Sequence, residues 1–387
     1  MALGSLAAAY GQEVLLNADL AIPLTAFLVA VSSTLLGSFL LLRRLSLMAD
    51  AISHAVLPGI VAAFWLSGGS RASLPSLLGA ALAGLFTVTL VEGLTRSGRV
   101  RNDAAIGLVF PALFAVGVVA VSLFFRNIHL DLDAVLYGEI AYIPFHTWQW
   151  GSHDLGPVAL WLMAGLTLLN LLFVVGLFKE LKVATFDPGL AATLGFRPGW
   201  LHYLHLSLVS LTVVGAFEAV GAILIVALMV IPAATAFLLS TTLTALLVWG
   251  VSQGVVISLG GYGLALLLDA SIAGSMATVA LGLFLLALLL APQQGLLSQY
   301  RLRQQQRLEV RARLLVAHLA HHPGAVSTQE VLDELGWTAT QLERSRRYAL
   351  QAGWVAGTAQ QLTLGPTWRQ AAAPPSGYIS PDQQPVN

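Results

Sequence analysis

Between residues 20 and 292 the sequence is a succession of apolar runs, each near 20 residues long, separated by short polar breaks. A helix rising about 1.5 Å per residue needs about 20 apolar residues to cross roughly 30 Å of hydrocarbon. Runs near 22–42, 50–66, 74–94, 104–125, 156–178, 203–219, 221–240, 243–268 and 272–292 meet or approach that length. The count is nine, with eight or ten also compatible. Only Glu218 and Gly221 interrupt residues 203–240, which read as two short spans or as one span plus a re-entrant segment. Charged residues make up 10% of the chain, against about 25% in a soluble domain. The fold class is therefore an all-α polytopic membrane protein, with a polar, charge-rich region after Gln299.

Formal net charge is +0, so nothing global points to nucleic acid or an acidic partner. The absence of cysteine excludes thiolate metal sites, iron–sulfur clusters and disulfides. The first 19 residues lack a basic n-region, so 1–21 reads as an N-terminal extracytoplasmic segment rather than a cleaved signal. Basic residues in short loops set orientation. Arg43 and Arg44, then Arg96, Arg99 and Arg101, then Lys179 and Lys182, then Arg301, Arg303 and Arg307 all fall on one side of a nine-span chain. That side is the cytoplasm, which places the N-terminus outside and the C-terminus inside.

Several features rise above a packed bundle. Asp50 and His54 are four apart, so a helix puts them on one face. A carboxylate beside an imidazole suits Mn²⁺, Fe²⁺ or Zn²⁺; a hydrogen-bonded pair at a helix entrance is the plainer reading. Pro58 and Gly59 follow one turn later and predict a bend. Residues 129–139, with Asp131 and Asp133, and then His146, His153 and Asp154, gather polar groups on the outer side. They either attract a cation at a pore mouth or solvate a loop. Glu218 is costly at mid-membrane unless partnered, which makes it a pathway candidate or a residue of an outer turn. Asp269 reads as a boundary residue.

Asp187 and Pro188 read as an N-cap and a first-turn proline, and Gly195 as a terminator. They predict a short cytoplasmic helix over 186–195 between two spans, including Phe186, Gly189 and Leu190. In the polar region, Leu308 to Leu319 is expected to be helical. A capping box at Ser327 starts a second helix, and Thr338 or Thr340 caps a third. Alternation around Val355, Leu362 and Leu364 suggests a β-wing. Three helices and a hairpin make a winged helix over 301–370, followed by a disordered tail over 371–387. Arg344, Arg346 and Arg347 on its third helix suit phosphate contact chemically, yet such a fold is often a protein-interaction module, and nucleic acid is not the expected partner.

At this point the chain resembles the ABC-type manganese, zinc and iron permeases. The likeness rests on residues 43–59 (RRLSLMADAISHAVLPG), 103–107 (DAAIG), 132–140 (LDAVLYGEI), 181–188 (LKVATFDP) and 220–236 (VGAILIVALMVIPAATA), in that order, within a permease domain over 22–295. The resemblance implies a pair of permease subunits, identical or related, a cytoplasmic ATPase, an extracytoplasmic metal-binding protein, and a bacterial cytoplasmic membrane. It places Asp50 and His54 on the metal path and makes 181–195 the coupling helix. Its cargo is a divalent ion, Mn²⁺ foremost and Zn²⁺ or Fe²⁺ next, with no permanently bound cofactor. No glycine-rich phosphate loop followed by Lys and Ser or Thr is present, so ATP hydrolysis falls to the partner and this chain is not an enzyme. The final outer turn, DASIAG at 269–274, departs from the family's Pro-Ser-Gly-like element. The tail resembles that of members with an appended repressor-like domain, although its metal ligands are not convincing; His318, His321 and His322 read as surface residues. A membrane-anchored regulator and an energy-independent channel are the competing functions.

Overall fold

A computed structural model describes residues 2–67, 73–124, 140–150, 153–322 and 324–372. It divides into two compact units, 1–291 and 292–387. Among the described residues, nine helical segments are long and apolar enough to cross a membrane.

The first unit runs α1 (Ala2–Leu42), α2 (Met48–Leu66), α3 (Ser73–Arg96) and α4 (Asn102–Phe124), then a short 3-10 turn at Ile140–Phe145. A small antiparallel hairpin follows, β1 (Thr147–Trp150) with β2 (His153–Pro157), the one departure from an all-α unit among the described residues. The chain continues through α5 (Val158–Gly176), α6 (Phe178–Phe186), α7 (Pro188–Thr193), α8 (Pro198–Leu239), α9 (Leu243–Leu268) and α10 (Ile272–Leu290). Helix α1 begins at Ala2, well before its apolar span at Leu20–Leu42. The stretch 203–240 resolves into two spans, Pro198–Phe217 and Ala219–Leu239. The helix breaks near the start of the second span at Gly221, whose φ of 77° and ψ of 169° only glycine adopts without strain.

Helix α1 packs against α5, α8 and α9 and is the axis of the bundle. Beside large apolar residues such as Leu36 and Phe39, it buries a set of small polar ones: Thr25, Ser32, Ser33, Thr34 and Ser38 are all fully buried. Lipid gives helices no hydrophobic reason to associate, so small residues and interhelical hydrogen bonds do that work. Asn170 of α5 donates to Ser32 Oγ at 2.6 Å and to Thr212 Oγ1 at 2.7 Å, joining three helices at one side chain. Thr167 Oγ1 donates to the Leu28 carbonyl at 3.0 Å. His205 Nε2 lies 3.0 Å from the Leu36 carbonyl, and since a carbonyl only accepts, that nitrogen carries the proton.

The second unit consists of α11 (Leu296–His321), β3 (Val326–Ser327), α12 (Thr328–Leu335), α13 (Ala339–Gln351), β4 (Val355–Gly357) and β5 (Gln361–Leu364). The strands form one antiparallel sheet in the order β3-β5-β4. Ser327 caps α12, accepting from the Glu330 N–H, and Thr338 caps α13 in a full capping box with Gln341. Leu315, Val331, Leu342, Val355 and Leu362 fill a core of its own. Residues 373–387 lie outside the described residues.

Candidate metal path and docking surface

Helix α2 carries the first candidate pair. Asp50 stands in its first turn, where a carboxylate meets the positive end of the helix dipole. His54, one turn on, brings Nε2 to 3.4 Å from Asp50 Oδ1, with the two side chains 36% and 40% exposed. The imidazole lies against Phe110 and Phe114 of α4, with ring centroids 5.7 Å and 6.1 Å away. Two aromatic walls thus hold one edge of the ring while the nitrogen and the carboxylate stay open. The separation is close to the roughly 3.3 Å edge of a metal polyhedron with bonds of about 2.0–2.2 Å. Helix α2 passes through Pro58 without interruption, and the Pro58 ring packs on Gly117 of α4, leaving no room for a larger residue there.

Of the other pathway candidates, Asp131 and Asp133 lie outside the described residues, as does the whole of 129–139. Glu218 is on the helix just before the Gly221 junction, and its side chain is outside the described residues too. Asp269 is the left-handed C-cap of α9, at φ 50°, and Ser271 caps α10 by accepting from the Gly274 N–H at 3.3 Å.

The loop after α5 holds two short helices rather than one. Residues 178–186 form helix α6, so the segment that the sequence reads as one short helix is broken at Asp187 into two. Asp187 accepts from the Leu190 N–H at 2.9 Å, Pro188 takes the first position of α7, and Gly195 turns away at φ 86°. Ala191 is fully buried with Ala184 and Leu201, which fixes one face of this element. The opposite face presents Phe186, Leu190 and Leu194, exposed by 62%, 49% and 57%. Three large apolar side chains on these short helices, flanked by charge, are thus left exposed.

A polar knot that sequence reading missed lies beside it. Arg43, one residue past α1, donates to Thr185 Oγ1 of α6 at 3.1 and 3.2 Å and approaches His202 Nδ1 of α8 at 3.0 Å. His202 Nε2 is 2.9 Å from Glu92 of α3. Arginine only donates, so Nδ1 accepts and Nε2–H donates to the carboxylate, which fixes the tautomer. Burial pushes the Arg43 guanidinium below its ordinary value. The available signal was Glu92 and His202, two polar residues inside otherwise apolar runs.

In the second unit Arg344 and Arg347 are exposed, while Arg346 is 16% exposed and bonded to Glu343 at 2.8–2.9 Å. Glu343 also stands 3.5 Å from Arg347. The three arginines therefore do not form one free cationic face.

Comparison with known proteins is consistent along most of the chain. The zinc transport system membrane protein TroD of Treponema pallidum is 42% identical over 339 residues, covering 86% of this chain and 92% of TroD. That coverage exceeds the first unit, so the likeness runs into the second. The manganese transport system membrane protein MntD of Bacillus subtilis is 41% identical over 275 residues, covering 71% and 92%. The solved structure of PsaBC from Streptococcus pneumoniae in complex with Fab aligns with a TM-score of 0.59 at 28% identity, covering 76% of this chain and 98% of that one. Residues 13–291 match the ABC 3 transport family, and the chain belongs to that family.

Proposed function

We propose that this chain is the membrane-spanning permease subunit of an ABC importer that carries a divalent transition metal ion across the cytoplasmic membrane. The match to the ABC 3 transport family over residues 13–291 carries the reading. Relatives named for zinc and for manganese transport support Mn²⁺ and Zn²⁺ as the cargo class. The permease translocates and does not catalyse; the family's architecture implies an ATPase that hydrolyses ATP and a binding protein that delivers the ion.

In this reading Asp50 and His54 supply an oxygen and a nitrogen ligand on the path, with Asp131, Asp133 and Glu218 as further groups along it or at its mouth. An incomplete ligand set suits a site that an ion must leave as readily as it enters. A second permease subunit, identical or related, supplies the rest of the path. Residues 186–195, with Phe186, Leu190 and Leu194 outward, form the surface on which the ATPase docks. The basic clusters support a cytoplasmic position for this surface and for the second unit. The order helix, strand, helix, helix, hairpin supports a winged helix for the second unit, and the pairing of Glu343 with Arg346 and Arg347 argues against DNA as its partner.

The test is ATP-dependent uptake of Mn²⁺, Zn²⁺ and Fe²⁺ by the reconstituted complex in proteoliposomes, with Asp50→Ala and His54→Ala beside the wild type. Uptake of one ion that collapses in both variants, while assembly and ATP hydrolysis persist, is the expected result. No uptake of any of the three by an intact, ATP-hydrolysing complex refutes the importer reading, and undiminished uptake in the variants removes the pair from the path.

A further inference from the structure

Three metal-ligating side chains in the second unit have no part in the transport reading. His318 lies in the last turn of α11 and His322 is its C-cap, four residues on, so the imidazoles share one face. Their ring centroids are 4.5 Å apart. Glu334 of α12 reaches toward both: its Oε2 is 3.6 Å from His318 Nδ1 and 3.9 Å from His322 Nε2. All three ligand atoms lie within 4.8 Å of one another.

These separations are too long for hydrogen bonds. They are slightly wider than the roughly 3.3 Å edge of a tetrahedral site with bonds of about 2.0–2.2 Å. Glu334 is half exposed, so its carboxylate has room to turn toward both rings. The His322 Nδ1 is 3.0 Å from the His318 carbonyl oxygen, and because a carbonyl only accepts, Nδ1 carries a proton. In the neutral ring this leaves the Nε2 lone pair facing a carboxylate oxygen, an arrangement that either a proton on Nε2 or a metal cation between the two relieves. A backbone carbonyl on Nδ1 is also the usual way of orienting a histidine whose other nitrogen binds metal. His318 is held in place, with its side chain 8% exposed and its Nε2 buried without a hydrogen-bond partner, so only Nδ1 faces the cluster.

We propose that His318, His322 and Glu334 bind one divalent transition-metal ion of borderline softness, Zn²⁺ or a close relative, with water completing the coordination. Two imidazole nitrogens and one carboxylate oxygen make a donor set suited to such an ion. Leu319 follows His318 where helical hydrolytic zinc sites carry a glutamate base, so the site binds without hydrolysing. All three ligands belong to the unit at 292–387, so the proposal stands independently of the transport reading.

The test uses the purified full-length chain in detergent, carrying Asp50→Ala and His54→Ala to silence the path, stripped with chelator and titrated with Zn²⁺ while bound metal is counted. One ion per chain is expected, with affinity falling in both His322→Ala and Glu334→Gln. The fall should be at least about 10–100-fold, the range that loss of even an outer-shell partner costs. Thermal unfolding and gel filtration check that both variants fold; Glu334→Gln alters a half-exposed side chain and decides the matter if His322→Ala does not fold. Absence of Zn²⁺ binding in the parent, or unchanged affinity in Glu334→Gln, overturns the proposal.

Discussion

Gly59 of α2 and Gly79 of α3 stand backbone against backbone, so that a Cβ on either would overlap the other's carbonyl oxygen. The clash is with backbone, which cannot swing aside as a long side chain does. Overpacking of this kind costs about 1–3 kcal/mol. Gly79→Ala should lower the thermal midpoint of the detergent-solubilised protein by several degrees, as followed by gel filtration after heating. An unchanged midpoint would show that α2 and α3 separate at little cost.

The link from Arg43 through His202 to Glu92 predicts non-additive losses. Leaving a buried donor unsatisfied costs about 1–3 kcal/mol, and Glu92 and His202 are only 16% and 20% exposed. Glu92→Gln and His202→Ala should each reduce thermal stability, and the double variant should lose no more than about 0.5 kcal/mol beyond the worse single one. Full additivity would mean that the residues act separately.

Leu190→Asp puts a charge at the centre of the exposed apolar face of α6 and α7. If the ATPase covers that face, co-purification of the two subunits should weaken by at least about tenfold, the scale of a contact worth more than 1 kcal/mol. Lys179→Ala, at the start of α6, should leave it near wild type. Equal retention of the ATPase by both variants would move the docking surface elsewhere.

The two units have separate hydrophobic cores, one drawn from Ile22 to Ala280 and the other from Ala312 to Ala371. A chain ending at Gln294 should therefore insert and keep the thermal midpoint of the first unit within about 2 °C. Aggregation of the shortened chain on gel filtration would refute this independence.

The nine spans were legible because length and hydropathy decide whether a helix crosses a bilayer, and both are written locally. The Asp187 and Ser327 caps and the break near Gly221 were legible for the same reason: each depends on residues a few positions apart; the full capping box stands at Thr338, where the sequence left the cap open between Thr338 and Thr340, and not at Ser327. The tertiary pairings were not. Glu334 belongs to a different helix from His318 and His322, so the histidines read as surface residues until the fold brought the carboxylate to them. Arg43, Glu92, Thr185 and His202 come from four segments, and nothing in the spacing of any one of them records the others. The Gly59–Gly79 approach was visible only as a general abundance of small residues, which says that helices come close without saying where.

Arg43 stands between the end of the first span and α6, bonded to Thr185 by two of its nitrogens. Five residues further along the chain, at Met48, α2 begins and carries the Asp50–His54 pair. Arg43 therefore ties the end of α1 to α6. If the ATPase docks on Phe186, the neighbour of Thr185, a load applied there either pulls the end of α1 along with it or breaks both hydrogen bonds and lets the two elements slip.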